Sequence, residues 1–254
     1  MAKKRRETIG AMLATKAYVS LKELKEAFPD VSEMTLRRDI EYFEDLGEAI
    51  KVRGGARSTR FITVSTDDSM ATRMGENVDS KVKIARAAAT HLETGRSIFI
   101  DSGSTLQQLV KFVQNERYIF TTTNPAVALE LATIGNPVVN ITGGRLDSAY
   151  QALAGLQAMR FIADINIDIA ILSSSGLSLK SGFTGGNYAE CELKRAVVEK
   201  ADRVIMLMDS SKIGRSLPYT FCSLEDVSTL ICDSPLPESL ADEAERCGVT
   251  VEIV

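Results

Sequence analysis

From Ser80 onward, short runs rich in β-branched and aromatic residues alternate with helix-patterned segments: KVKIARAAATHLETG, SIFI, LQQLVKFV, YIFT, PAVALELATIG, VVNI, then DIAIL, AECELKRAVVEKA and RVIMLM. Each apolar run has strand length and is nearly continuous in hydrophobicity, so both of its faces must be covered. The alternation therefore predicts a mostly parallel sheet flanked by helices, an α/β domain. Gly95 closes the first of these helices, and Asn124, Pro125 and Gly135 supply cap, first turn and stop to the third. A further helix is expected around Ala154 to Ile162, and the tail TLICD, ESLADEAERCG and TVEIV adds strand, helix and strand.

The N-terminal part reads differently. A helix from about Lys4 to Thr15 turns Ile9, Met12 and Leu13 inward. Ser20 and Glu23 form a capping box for LKELKEAF, and Pro29 breaks the chain before Ser32, an N-cap. In the helix that follows, Leu36, Ile40 and Phe43 share one face, while Met34, Arg38, Glu41 and Asp45 lie opposite and Arg37 sits on a flank. Gly47 is its expected stop. A short turn thus joins two helices, the second opening with small polar residues and paired arginines, which suits insertion into a DNA major groove. AIKVRGGA then reads as a strand and glycine turn, a basic wing. Arg37, Arg38, Lys51 and Arg53 are the candidate phosphate or base contacts; Ser32, Met34 and Thr35 occupy the reading face or its flanks, and Gly54 the wing turn. The same spacing occurs in many helical domains, and exposed arginine pairs are often merely solvated.

The formal net charge of −4 argues against nucleic-acid binding by the chain as a whole. Residues 1–60, however, hold 13 Lys and Arg against 10 Asp and Glu, leaving 17 against 24 for the rest. DNA contact must be local and salt-dependent. The cluster Lys3, Lys4, Arg5, Arg6 is either a solvated tail or a further phosphate contact. At 254 residues two unequal domains are expected: residues 1–57, a polar linker over 58–76, and residues 77–254. No run reaches the length of a membrane span and no signal peptide is indicated, so a cytoplasmic protein is expected. Cys191, Cys222, Cys232 and Cys247 lack C-x-x-C pairing and a nearby histidine, which argues against zinc and disulfides. The lone His91 has no G-x-S-x-G nucleophile to serve, so neither a metal site nor catalytic residues are expected, and no cofactor.

Ligand chemistry is expected where the strands end. In an open parallel sheet the carboxyl-end loops share one rim. Here they read Asp101-Ser102-Gly103-Ser104-Thr105, Thr122-Thr123-Asn124, Thr142-Gly143-Gly144, Ser173-Ser174-Ser175-Gly176 and Asp209-Ser210-Ser211-Lys212. DSGST leads directly into a helix, so backbone N–H groups and three hydroxyls can cradle a phosphate. Neither a triphosphate loop nor a dinucleotide fingerprint is present.

V-S-x-x-T-L-R-R-D-I followed by Leu-Gly, a basic residue and G-G-A resembles the N-terminal domain of the DeoR family of bacterial transcription regulators. DSGSTLQQL, TTTNPAVALEL, ITGGRL, ALAG, SGFTGGNYAECELKRAVVEKADRVIMLMDSSKIGR and LICD resemble successive blocks of that family's effector domain, which shares a fold with ribose-5-phosphate isomerase and senses phosphorylated sugars. The resemblance implies a winged helix-turn-helix with Ser32 to Ile40 as recognition helix and Lys51 to Ala56 as wing. It implies that Ser102 to Thr105, in the loop opened by Asp101, hold the phosphate. Thr123, Asn124, Gly143 and Gly176 would line the sugar pocket, with Lys194 and Lys212 near its rim or in structural ion pairs. Departures are FPDVS before the recognition helix, Asp147 where relatives place a basic residue, and a linker in which only Arg73 is recognisable. The alternative is a sugar-phosphate isomerase, but where those enzymes read D-G-A-D this chain reads Ser173 to Gly176, leaving only Glu190 and Glu192 as candidate bases. The expectation is a repressor of carbohydrate-metabolism genes that binds a double-stranded DNA operator as a homo-oligomer, dimer or tetramer, and responds to a phosphorylated sugar or polyol.

Overall fold

The computed structural model describes residues 2–16, 18–45, 49–52, 54–58 and 70–254. The chain divides into two compact units, one comprising Met1–Thr63 with Gly214–Ser216 and the other Val64–Ile213 with Leu217–Val254. The first contains α1 (Ala2–Thr15), β1 (Tyr18–Ser20), α2 (Leu21–Ala27), α3 (Glu33–Asp45), β2 (Ala49–Val52) and β3 (Gly55–Ser58). The expected caps form: Ser20 Oγ accepts the Glu23 N–H at 3.1 Å while the Glu23 carboxylate accepts the Ser20 N–H at 2.8 Å, and Ser32 Oγ accepts the Thr35 N–H at 3.3 Å. Leu36, Ile40 and Phe43 pack with Ile9, Leu13, Val19 and Leu24 in one apolar core, each burial worth about 1.5–3 kcal/mol. The antiparallel sheet runs β1-β3-β2. Strand β1 was not anticipated, being too short to show a period. It approaches β3 so closely that a Cβ on Gly55 would lie 2.3 Å from the Val19 carbonyl oxygen. Gly47 and Arg53 lie outside the described residues.

The second unit contains α4 (Met70–Gly75), α5 (Val78–Ala89), β4 (Ser97–Ile100), α6 (Ser104–Val110), β5 (Ile119–Thr122), α7 (Pro125–Ala132), β6 (Val138–Ile141), β7 (Arg145–Asp147), β8 (Ala152–Ala154) and α8 (Leu156–Asp164). It continues through β9 (Ile167–Ser173), β10 (Gly176–Ser178), β11 (Gly182–Gly185), α9 (Tyr188–Lys200), β12 (Ala201–Met208), β13 (Tyr219–Cys222), β14 (Thr229–Cys232), α10 (Glu238–Arg246) and β15 (Thr250–Ile253). A seven-stranded, wholly parallel sheet runs β15-β14-β12-β9-β4-β5-β6. Ile169 and Ile171 of β9 join Ile84 of α5, Leu106 of α6 and Val127 of α7 on one face, whereas Ala170 and Leu172 meet Ile162 of α8, Val197 of α9 and Leu240 of α10 on the other. This alternation gives the helix–sheet–helix layering that doubly covered parallel strands require.

Three small elements add to the frame: a β7–β8 hairpin, an antiparallel β10-β11-β13 sheet, and α4. The last falls within the stretch read as linker, yet Met70 is fully buried and its N–H donates to Ala149 O at 2.8 Å. His91 Nε2 lies 3.0 Å from Glu252 Oε1, a structural partnership. All four cysteines are free, and all but Cys247 are buried; burial pushes the Cys191 thiol up to about 11.

Candidate functional site

The chain runs outward from β4 through β5 to β6, returns to β9 on the other side of β4, and runs outward again through β12, β14 and β15. The direction of travel reverses between β4 and β9, and the crevice outside the carboxyl ends of such a strand pair is where open α/β sheets bind ligands. The two loops at this point are Asp101–Thr105 and Ser173–Gly176. They touch: an ideal Cβ on Gly103 would stand 2.0 Å from Ser173 Oγ.

Beneath them lies a buried charge cluster. Asp101, 1% exposed, accepts from the Ser173 N–H at 3.0 Å and the Ser173 hydroxyl at 3.2 Å. Lys194 Nζ lies 2.9 Å from Asp101 Oδ2 and 3.0 Å from Glu190 Oε1, and donates to the Ser173 carbonyl at 2.8 Å. Burial opposes the Lys194 charge, but the two carboxylates overcome it and raise its pKa. Lys194, expected near the rim or in a structural ion pair, pairs with Asp101 and Glu190 as a buried brace between α9 and the ends of β4 and β9.

Above the brace, a crevice is lined by Gly103, Ser104, Thr105, Ser173, Ser174 and Ser175, together with Arg73, Lys81, Asp209 and Lys212. Lys81 is 3% and Lys212 7% exposed, and among the described residues neither forms a salt bridge. Lys81 is held down in pKa, first by burial, then by Lys212 and Arg73, with Asp209 and Glu76 opposing. The frame beside it is tied: Asn77, with φ of 50°, donates from Nδ2 to Asp209 Oδ1 at 2.9 Å and to Ser211 Oγ at 3.1 Å. Hydroxyls, main-chain groups and three cations against one carboxylate, Asp209, are groups that can coordinate a small anion. Lys81 was missed in the sequence because a lysine on an amphipathic helix ordinarily faces solvent.

A second cavity opens beside Asp101 and Thr123 and is lined also by Arg145, Asp147, Asn187 and Glu190. Asp147 Oδ1 caps the hairpin turn by accepting the Ala149 N–H at 2.9 Å, and its other oxygen faces Asn187 Nδ2 at 3.4 Å. The remaining predicted residues line neither cavity. Asn124 caps α7 and donates to the Ser102 carbonyl at 3.3 Å, bracing the loop. Gly143, with φ of 72°, turns the chain after β6, and Gly176 pairs with Thr184 in the side sheet.

In the first unit Ser32, just before α3, and Met34, Arg37 and Arg38 on it are exposed, and Thr35 is half-buried, its hydroxyl 2.9 Å from that of Ser32. Lys51 Nζ meets Glu41 Oε1 at 2.5 Å across the base of the wing, and this pairing holds the Glu41 carboxyl below its usual range. Gly54, with φ of 89°, forms the wing turn in a conformation that favours glycine. The N-terminal basic cluster divides: Arg5 and Arg6 direct Nε to the two oxygens of the buried Asp39 at 2.5 and 3.0 Å, and Arg6 also stacks 3.8 Å over Tyr42. These two arginines fasten α1 to α3, and the tail reading does not hold for them.

Comparison with known proteins agrees with both halves. Residues 5–60 match the DeoR-like helix-turn-helix domain and residues 76–234 the DeoR C terminal sensor domain. The HTH-type transcriptional regulator GlpR of Haloferax volcanii is 34% identical, over 87% of this chain and 86% of its own. The glycerol-3-phosphate regulon repressor of Escherichia coli K12 is 28% identical over 90% of each chain. A solved ribose-5-phosphate isomerase A from Methanocaldococcus jannaschii is similar over 54% of this chain and 55% of its own, at 17% identity and a TM-score of 0.41, too distant to carry a functional argument. The chain belongs to the DeoR family of DNA-binding helix-turn-helix transcriptional regulators.

Proposed function

We propose that this regulator is a repressor of carbohydrate-metabolism genes whose operator binding responds to a phosphorylated sugar or polyol, with the phosphate held by Ser104, Thr105, Lys81 and Lys212. The observation that carries the proposal is the convergence of Lys81, Lys212 and Arg73 on the hydroxyl-lined crevice at the β4–β9 reversal. The neighbouring cavity offers Thr123, Asp147 and Asn187 to sugar hydroxyls. The names of the relatives, glycerol-3-phosphate regulon repressor among them, support the ligand class. The chain is a regulator, not an enzyme, as its relatives are. Where an isomerase would place its base, this chain carries serines.

On the DNA side the proposal assigns base or phosphate contacts to Arg37 and Arg38, helped by Ser32, Met34 and Thr35 and by the wing residues Lys51, Arg53 and Gly54. A single winged helix buries a modest interface, so operator affinity requires a homo-oligomer presenting two or more heads. Among the described residues no helix is long and apolar enough to cross a membrane, in keeping with a cytoplasmic repressor. A thermal-shift panel of sugar and polyol phosphates, each beside its unphosphorylated counterpart, tests the ligand class. A phosphorylated ligand at about a hundred times its Kd adds about 2.7 kcal/mol to stability. Equal shifts from the unphosphorylated partners would refute the phosphate assignment.

A further inference from the structure

We infer that α4, the first described element after residues 59–69, is the part of the sensor unit that reads whether the anion crevice is filled, with Lys81, Arg73 and Tyr150 as its positioning residues. The inference rests on the anion crevice proposed above.

Lys81 and Arg73 both line that crevice, and both also hold α4. The Lys81 ammonium, with three donors to offer, donates to the main-chain oxygens of Arg73 and, at 2.7 Å, Glu76, so it ties the end of α4 to α5. The Arg73 guanidinium carbon stands 5.5 Å from the centroid of the Tyr150 ring, within cation–π range. The start of α4 is fastened to the same hairpin turn by the Met70 N–H on Ala149 O and by the fully buried Met70 side chain. One and a half turns of helix have little stability of their own. The order of α4 therefore depends on these ties, and two of them run through groups that would contact the ligand.

Occupancy has a definite direction of effect. Lys81, Lys212 and Arg73 line one crevice and repel one another there, a smaller contribution than burial to the lowered Lys81 pKa. A phosphate dianion among them cancels that repulsion and fixes both Lys81 and Arg73, and with them the carbonyls and the ring they engage. Filling the crevice therefore stiffens α4, and the segment that leads back to the DNA-reading head departs from a firmer anchor.

Hydrogen exchange of the full-length protein, with inorganic phosphate as the probe, tests this. Wild-type residues 70–76 should exchange at least about fivefold more slowly with phosphate, alongside protection of Ser104–Val110. Tyr150→Leu removes the aromatic face but no group that lines the anion crevice. Its phosphate affinity should stay within about threefold of wild type, while the slowing over 70–76 should fall below about twofold. Tyr150→Phe, which keeps a ring, should retain the slowing. Phosphate protection of Ser104–Val110 with unchanged exchange over 70–76 in the wild type would overturn the inference and leave the crevice standing, as would full slowing in Tyr150→Leu. Absence of phosphate protection at both segments would remove the crevice assignment and the inference together.

Discussion

Gly103 sits in a backbone conformation open to any residue, φ −66° and ψ 154°, so conformational freedom does not explain a glycine there. Space does. An alanine Cβ would lie 2.0 Å from Ser173 Oγ, 2.9 Å from Ser173 Cβ and 3.1 Å from Leu106 Cδ2. The Ser173 hydroxyl can rotate away only by giving up its 3.2 Å bond to Asp101, a loss of about 1 kcal/mol. Its Cβ cannot rotate away, so the ends of β4 and β9 must part or Leu106 must shift, an overpacking cost of about 1–3 kcal/mol. Gly103→Ala should therefore destabilise the sensor unit by about 2–4 kcal/mol. Urea denaturation would show this as a lowered midpoint at unchanged slope. Ser173→Gly removes the two nearest of the three obstructing atoms and leaves Leu106 Cδ2 at 3.1 Å, and in that background the same alanine should cost less than about 1 kcal/mol, the difference being the coupling energy of the pair. Equal costs in the two backgrounds, or a neutral Gly103→Ala, would refute the close approach of the two loops.

Three further outcomes are expected. Replacing Arg37 and Arg38 with alanine should weaken operator binding by about 2–6 kcal/mol in total without lowering the melting temperature; undiminished fluorescence-anisotropy titrations would count against the reading helix. Asp39→Ala leaves Arg5 and Arg6 without their shared carboxylate at a site 1% exposed and should cost about 2–4 kcal/mol, since the arginines keep some access to water; an unchanged thermal transition of the DNA-binding unit would contradict it. Because Lys81 titrates below 10.5 when folded, the unfolded chain binds more protons between the two values, and stability should rise with pH across that window. Phosphate restores the charge, so calorimetry in buffers of different ionisation heat should register proton uptake on binding as pH approaches 10.5; proton release would be inconsistent with the crevice electrostatics.

Much of the fold was legible because it obeys simple periods. Runs such as SIFI and RVIMLM became central strands, and Leu36, Ile40 and Phe43 shared a buried face as their spacing requires. What escaped was short or depended on tertiary context. Strands β7, β8 and β10 have three residues each, too few for alternation to register. Helix α4 lay hidden in a polar stretch because its order comes from Met70 burial and the Lys81 tie, not from its own pattern. Of the candidate ligand residues, Gly103, Ser104, Thr105 and Lys212 meet in the crevice, and loop chemistry together with the family resemblance pointed to them. Lys81 did not announce itself, nor did the partners of Lys194, Asp101 and Glu190, since a charge on a helix reads as solvated until the neighbouring layers show otherwise.

The most direct measurement is operator affinity of the full-length protein, with and without a sugar phosphate that raises its melting temperature, for the wild type and for the Ser104→Ala, Thr105→Ala double variant. The ratio of the two affinities should depart from one by about tenfold or more in the wild type and return close to one in the double variant. An unaltered ratio in the wild type, or a full response in the double variant, would contradict a regulator switched by phosphate at the β4–β9 crevice.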